Sequence, residues 1–241
     1  MLYLLGPCPN LNTLIVEEGP NESSDISALP ETRAWLKECK QLQTLRVLDG
    51  SLGPPLVTDL LLGDAPLREL HLCPRRSGHE QLFFKGLGEK TSLRKLTLHF
   101  TRSASNDVYH ARYPDKRFLA AILRLESLEY LKITCHGLHE NFTISVANKL
   151  INLRSFDILC GILSDNIWPA MRTLQHLKSF TAYSVNRFSF GKTLSYISKL
   201  GPSNEGLRLQ LRYPQTGFSE TQISRLQTMM KAEVGGTVEF W

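Results

Sequence analysis

One apolar triplet, Leu-x-x-Leu-x-(Leu/Val/Ile), recurs along this chain and limits its fold more than any other feature. It occurs at Leu11-Leu14-Val16, Leu42-Leu45-Val47, Leu67-Leu70-Leu72, Leu93-Leu96-Leu98 and Leu128-Leu131-Ile133. Softer versions follow at Leu153-Phe156-Ile158 and Leu177-Phe180-Ala182. The first leucines lie 31, 25, 26, 35, 25 and 24 residues apart. One match means little in a leucine-rich chain, but seven in order at near-constant spacing mark a repeat architecture.

The alternating tail of each motif reads as a short strand, whose side chains point to opposite faces at period two. The leucines then point inward and stack from turn to turn. Between the strands, residues 56–62, 81–87, 117–125, 141–150, 166–174 and 192–200 put apolar side chains on one helical face, as Phe118, Ile122 and Leu125 show. One strand and one helix cannot bury an apolar face alone; stacked turns can. The expected fold is therefore α/β: a curved leucine-rich-repeat solenoid of about seven to eight irregular repeats. A parallel sheet would form its concave face and helices its convex face. The alternation Leu207-Leu209-Leu211 reads as an eighth strand. Ser219 reads as the cap of a helix running to about residue 232, with Ile223, Leu226 and Met230 on its apolar face. Gly235-Gly236 reads as a turn, and residues 237–241 as an edge strand. The expected organisation is one domain, 1–241, with repeats over 8–212 and a C-terminal cap over 213–241. No such cap is read at the N-terminal edge, which implies an upstream segment, a partner or self-association.

Three positions before the first leucines stand Cys8, Cys39, Asp64, Lys90, Leu125, Leu150 and Leu174. The phrases Cys8-Pro9-Asn10-Leu11 and Cys39-Lys40-Gln41-Leu42 resemble the Cys-x-x-Leu-x-x-Leu-x-Leu repeats of F-box/leucine-rich-repeat proteins, particularly divergent fungal ones. The resemblance covers residues 8–212. It implies substrate recognition for an SCF-type ubiquitin ligase, with a ligase adaptor as partner. Two departures stand against it. The eighth residue after each first leucine is Gly19, Gly50, Arg75, Thr101, His136, Gly161 or Val185, so no asparagine ladder can form and irregular turns are expected. The helical F-box module has no room before Leu11. An adaptor or scaffold unrelated to ubiquitin, and a truncated repeat remnant, therefore stay open.

Composition narrows the class further. The net charge is +5, no dense Lys/Arg run occurs, and no nucleic-acid-binding module is recognisable, which makes a nucleic-acid partner unexpected. No apolar run approaches the roughly 20 residues of a membrane span, and the start lacks the basic region of a signal peptide. The two sequons, at Asn21 and Asn141, are then chance matches. The five scattered cysteines lack any CxxC and read as reduced core thiols, so a cytoplasmic or nuclear location is expected.

The outward strand positions supply the candidate site. Arg46, His71, Lys95, His99, Tyr130 and Lys132 are expected to gather on the concave face as a weakly basic patch. Such a patch suits a protein partner with an acidic segment. The two long intervals mark insertions, and the second, residues 101–117, carries Tyr109, Arg112 and Tyr113 as candidate loop contacts. No catalytic residue, metal ligand or cofactor site is expected. Cys73 and His99 stand on adjacent strands without an orienting third group, and Cys135-His136-Gly137-Leu138-His139-Glu140 lacks a second ligand pair at zinc spacing. Gly-rich phosphate loops and a serine nucleophile elbow are missing. The chain thus reads as a protein-interaction module, not an enzyme.

Overall fold

The computed structural model describes residues 8–16, 34–36, 38–47, 54–73, 80–100, 116–135, 138–214 and 217–240. The chain groups into two compact units, Met1–Ser127 and Leu128–Trp241, where the sequence reads as one continuous domain. Each unit is α/β with parallel strands, the class expected from the repeat.

The first unit contains β1 (Thr13–Val16), β2 (Thr44–Val47), α1 (Pro54–Leu62), β3 (Glu69–Leu72), α2 (Glu80–Glu89), β4 (Lys95–His99) and α3 (Lys116–Leu123). Residues 34–36 and 38 are helical. Successive strands pair in parallel and in register, so that Leu14, Leu45, Leu70 and Leu96 form one inward row. Val16, Val47, Leu72 and Leu98 form the next. The first leucines Leu42, Leu67 and Leu93 are fully buried behind them. Each buried leucine contributes about 1.5–3 kcal/mol of transfer free energy, and the repeat places three per turn. Phe83, Phe84, Leu87, Phe118 and Ile122 close the core from the helices. Phe118 lies 5.4 Å from Phe84 and 5.5 Å from Phe100.

The turns into β2 and β4 are built the same way, while the Leu67 amide before β3 donates two residues back, to the Ala65 carbonyl. The Leu42 and Leu93 amides donate to the carbonyls three residues back, Cys39 and Lys90, at 3.1 and 3.0 Å. The carbonyls of Asn12, Gln43 and Arg68 each accept two amides from the next turn, at 2.8–3.0 Å. One member of the column three residues before the first leucine is unusual: Lys90 is only 7% exposed. Its ammonium donates to the Gly63 and Ala65 carbonyls just after α1, the second at 3.1 Å. Burial pulls the Lys90 pKa below its ordinary 10.5.

The second unit contains β5 (Tyr130–Thr134), α4 (Glu140–Lys149), β6 (Ser155–Ser164), α5 (Ile167–Met171), β7 (Ser179–Arg187), α6 (Phe190–Ile197), β8 (Arg208–Pro214), α7 (Glu220–Val234) and β9 (Thr237–Phe240). A short 3-10 turn, Pro202–Asn204, precedes β8. Parallel pairing stacks Leu131, Phe156, Phe180, Leu209 and Val238 in one inward row. Trp168 stacks on Tyr196 with ring centroids 4.6 Å apart and planes 22° apart. Of the five cysteines expected as core thiols, Cys39, Cys135 and Cys160 are buried, whereas Cys8 and Cys73 are partly exposed.

Several boundaries differ from the sequence reading. The helix expected over 166–174 is only Ile167–Met171, with Pro169 in its first turn. Strands β6 and β7 run past the leucine motif to Ser164 and Arg187 through a register shift between Leu159 and Ile162. The C-terminal helix carries a full capping box. Ser219 Oγ accepts from the Gln222 amide while the Gln222 side chain accepts from the Ser219 amide. It ends at Gly235 in the left-handed region, φ 61°, and β9 pairs with β8 as expected.

Among the described residues of the second unit, two turns are tied by carboxylates rather than by an asparagine ladder. Glu140 Oε1 accepts from the Ser164 amide and hydroxyl at 2.6 and 2.7 Å. Asp165 accepts from the Ser189 amide and hydroxyl at 3.0 and 2.6 Å. Each acid lies 24 residues before the serine it holds, one repeat earlier. Among the described residues no helix is long and apolar enough to cross a membrane.

Candidate interaction surface

The candidate patch falls on the side of the strands opposite the leucines, and its six residues divide between the units. Arg46, His71, Lys95 and His99 belong to the first and Tyr130 and Lys132 to the second.

In the first unit, parallel register sets Thr44 beside Glu69 and Glu69 beside Lys95, with Arg46 beside His71 and His71 beside Thr97. Glu69 becomes the centre of the group. Its Oε1 accepts from Arg46 Nε and Nη2 at 2.9 and 2.5 Å. Lys95 Nζ stands 3.7 Å from Oε2. The side chains of Arg46 and Lys95 keep 45% and 61% exposure. Exposed pairs of this kind are each worth about 0–1 kcal/mol, so their main effect is to hold the two cations in place. The rings of His71 and His99 lie 5.3 Å apart, tilted by 43°. The structure therefore brings these four expected residues together, around an acid that the expected patch left out. Glu69 occupies the same outward row as Lys95, and strand parity alone could have found it.

In the second unit, Lys132, Asp157, Thr181, Gln210 and Glu239 form one outward row across five strands. Gln210 joins its neighbours, with the Thr181 hydroxyl 3.2 Å from its amide oxygen and its Nε2 donating to Glu239 Oε2 at 2.9 Å. Tyr130 has its pKa pushed up by burial first, then by the nearby Asp157 carboxylate and Tyr183. Its phenol therefore stays protonated and can donate. The Arg212 guanidinium carbon lies 4.7 Å from the centre of the Tyr183 ring, a cation–π distance. Asp157, Tyr183 and Arg212 extend the surface beyond Tyr130 and Lys132. Arg212 takes an outward position on the eighth strand that the Leu207-Leu209-Leu211 alternation predicts.

Tyr109, Arg112 and Tyr113 lie outside the described residues. Cys73 and His99 are both partly exposed, and among the described residues no group of three or more His, Cys, Asp or Glu side chains could hold a metal ion. A hollow of about 690 Å³ runs along α7 beside Ser224, Arg225, Thr228 and Met229. All its walls come from that one helix, so no polar groups converge in it from separate elements. What the described surfaces offer is half-exposed polar and aromatic side chains on a rigid strand framework. No protein family matches the chain, and no curated protein matches it.

Proposed function

We propose that this chain is a leucine-rich-repeat protein that binds a partner protein through the outward faces of its strands, and that it is not an enzyme. The observation that carries this reading is the Arg46–Glu69–Lys95 group with the adjoining His71–His99 pair. Two cations are pinned on one carboxylate, keep much of their surface, and leave a net positive face for an acidic segment of the partner. Tyr130 and Lys132 supply a donor phenol and a further cation on the second unit. The seven leucine motifs and the strand-by-strand register support the repeat architecture. A reducing compartment, cytoplasm or nucleus, suits its five free cysteines.

Pull-down from cell extract, with mass spectrometry, tests the reading against a Lys95→Glu/Lys132→Glu variant, which reverses one charge on each unit. The expected result is a specific partner lost by the variant and rebound by the wild type when both are purified. Equal recovery by the two forms would sink the strand-face reading. The Cys8 and Cys39 phrases favour one class of partner. Recovery of a cullin-type ligase adaptor would make the chain a substrate-recognition subunit, and recovery of any other specific partner an adaptor or scaffold.

A further inference from the structure

The second unit holds most of the net charge: twelve Lys or Arg against eight Asp or Glu, +4 of the chain's +5. The fold sorts those charges by edge. Helices end and strands begin along one edge, and there stand Lys149, Arg154, Arg172, Lys178, Lys199 and Arg208, all exposed. Glu129 and Glu205 are the acids among them, while Lys231 and Glu233 at the end of α7 offset each other. At the opposite edge Arg187, Lys192 and Arg212 are balanced by Glu140, Asp165 and Glu220.

Helix dipoles explain only half of this. Lys149, Arg172 and Lys199 lie at or just past the C-termini of α4, α5 and α6, where a cation is stabilised. Arg154 and Lys178 immediately precede β6 and β7, and Arg208 opens β8, where no helix end rewards them. Nor are Arg172 and Lys178 neutralised by their own contacts. Arg172 Nη2 donates to the Ser195 carbonyl at 3.5 Å and Lys178 Nζ to the Glu205 carbonyl at 2.6 Å. Both contacts fix a cation without neutralising it. Arg154 meets Glu129 only at 3.8 Å, with 68% of its side chain exposed.

We propose that this edge of the second unit is a docking strip for an extended acidic segment of a partner protein. It adjoins the strand face of the second unit at Arg208, which shares the outward row of Tyr130, Ser155 and Ser179, and does not rest on the reading given to Arg46 and Lys95. Arg154, Lys178 and Arg208 step across three neighbouring strands, a span of about 10 Å, which a few residues of extended chain would follow. The edge suits carboxylates on a peptide better than a phosphodiester chain. Glu129 and Glu205 interrupt its charge, Ile151 adds an apolar side chain at 55% exposure, and His176 is the sole aromatic-ring residue among the described residues of the edge between Lys149 and Arg208 that is exposed. Single-stranded nucleic acids favour aromatic stacking platforms.

Fluorescence anisotropy with labelled poly-glutamate tests this on the full chain. Arg154→Gln/Lys199→Gln/Arg208→Gln should weaken binding about tenfold, and Arg154→Lys/Arg208→Lys should restore it. Arg187→Gln/Lys192→Gln at the opposite edge and Arg46→Gln/Lys95→Gln on the first unit should leave it nearly unchanged. Circular dichroism melts confirm that each variant is folded. An equal loss in the opposite-edge control would reduce the effect to net charge and overturn the strip. So would loss confined to Arg46→Gln/Lys95→Gln, which would assign the acidic ligand to the strand face instead. Tighter binding of oligothymidylate than of poly-glutamate would also overturn it, in favour of a nucleic acid.

Discussion

Each unit stacks inward rows on its own parallel strands, but the two tie down the turns between strands with different groups. In the first, a buried cation satisfies carbonyls: Lys90 reaches Gly63 and Ala65 where α1 has ended. In the second, carboxylates satisfy amides: Glu140 holds Ser164 and Asp165 holds Ser189. The leucine rows fix where strands go, but leave open which sign of charge ties down the chain between them. A repeat can therefore drift in its polar positions while its apolar ones stay put.

The largest effects should come from the part the units share. Phe180→Ala in the second unit should cost about 3–5 kcal/mol and Leu70→Ala in the first about 2–5 kcal/mol, read as urea midpoints. A much smaller loss in either would mean that its inward row is not close-packed, and the comparison would fail at its base. The turns come next. Lys90→Ala removes a buried stem and the donor for two carbonyls, and should cost about 3 kcal/mol. Lys90→Leu keeps the stem, as the corresponding Leu150 and Leu174 do in the second unit, and should recover part of that loss. Glu140→Gln keeps the size and loses the charge, at a cost of about 1–2 kcal/mol. Hydrogen exchange should place the Glu140 effect at Ser164 and the Lys90 effect at the turn after α1; protection changes spread evenly would remove the distinction.

The last contrast between the units is in alkaline solution. In the second unit burial raises the pKa of Cys160 to about 12 and those of Tyr130 and Tyr196 as well. Unfolded, the Cys160 thiol ionises near its ordinary 9.0, so between about 9 and 12 the folded chain holds more protons and stability falls as pH rises. In the first unit Cys39 acts in the same direction, but Lys90 opposes it. Its lowered pKa makes the unfolded chain bind more protons just below 10.5, so its contribution grows as pH rises. Above pH 9 the second unit should therefore lose stability more steeply than the first. Cys160→Ala should flatten that slope, and equal slopes for the two units would count against the assignment.

The strands were legible because their signal is purely apolar and repeats at fixed parity: Leu14, Leu45, Leu70 and Leu96 occupy the row the spacing predicts. The return helices were legible as faces and less so as segments, since Pro169 and the turn after Met171 shorten α5 without altering its apolar pattern. The extensions of β6 and β7 depend on a register shift that no period contains. The polar ties were illegible for another reason. Glu140 and Ser164 are ordinary loop residues in sequence, and only stacking one repeat on the next makes them partners. The same holds for Lys90, which in one dimension is a lysine near a helix end. Of the candidate surface, strand parity supplied Arg46, His71, Lys95 and His99 and also puts Glu69 on their face, but not the contacts by which that acid binds two of them.

The aromatic packing makes the two units optically separable. Trp35 is buried in the first and Trp168 in the second, the latter stacked on Tyr196 at 4.6 Å. At that distance a photon absorbed by Tyr196 is handed to Trp168 before the tyrosine can emit. Loss of this transfer reports the opening of the second unit alone. A Trp168→Phe/Trp241→Phe chain removes that signal and leaves Trp35 as its one tryptophan, whose emission then follows the first unit.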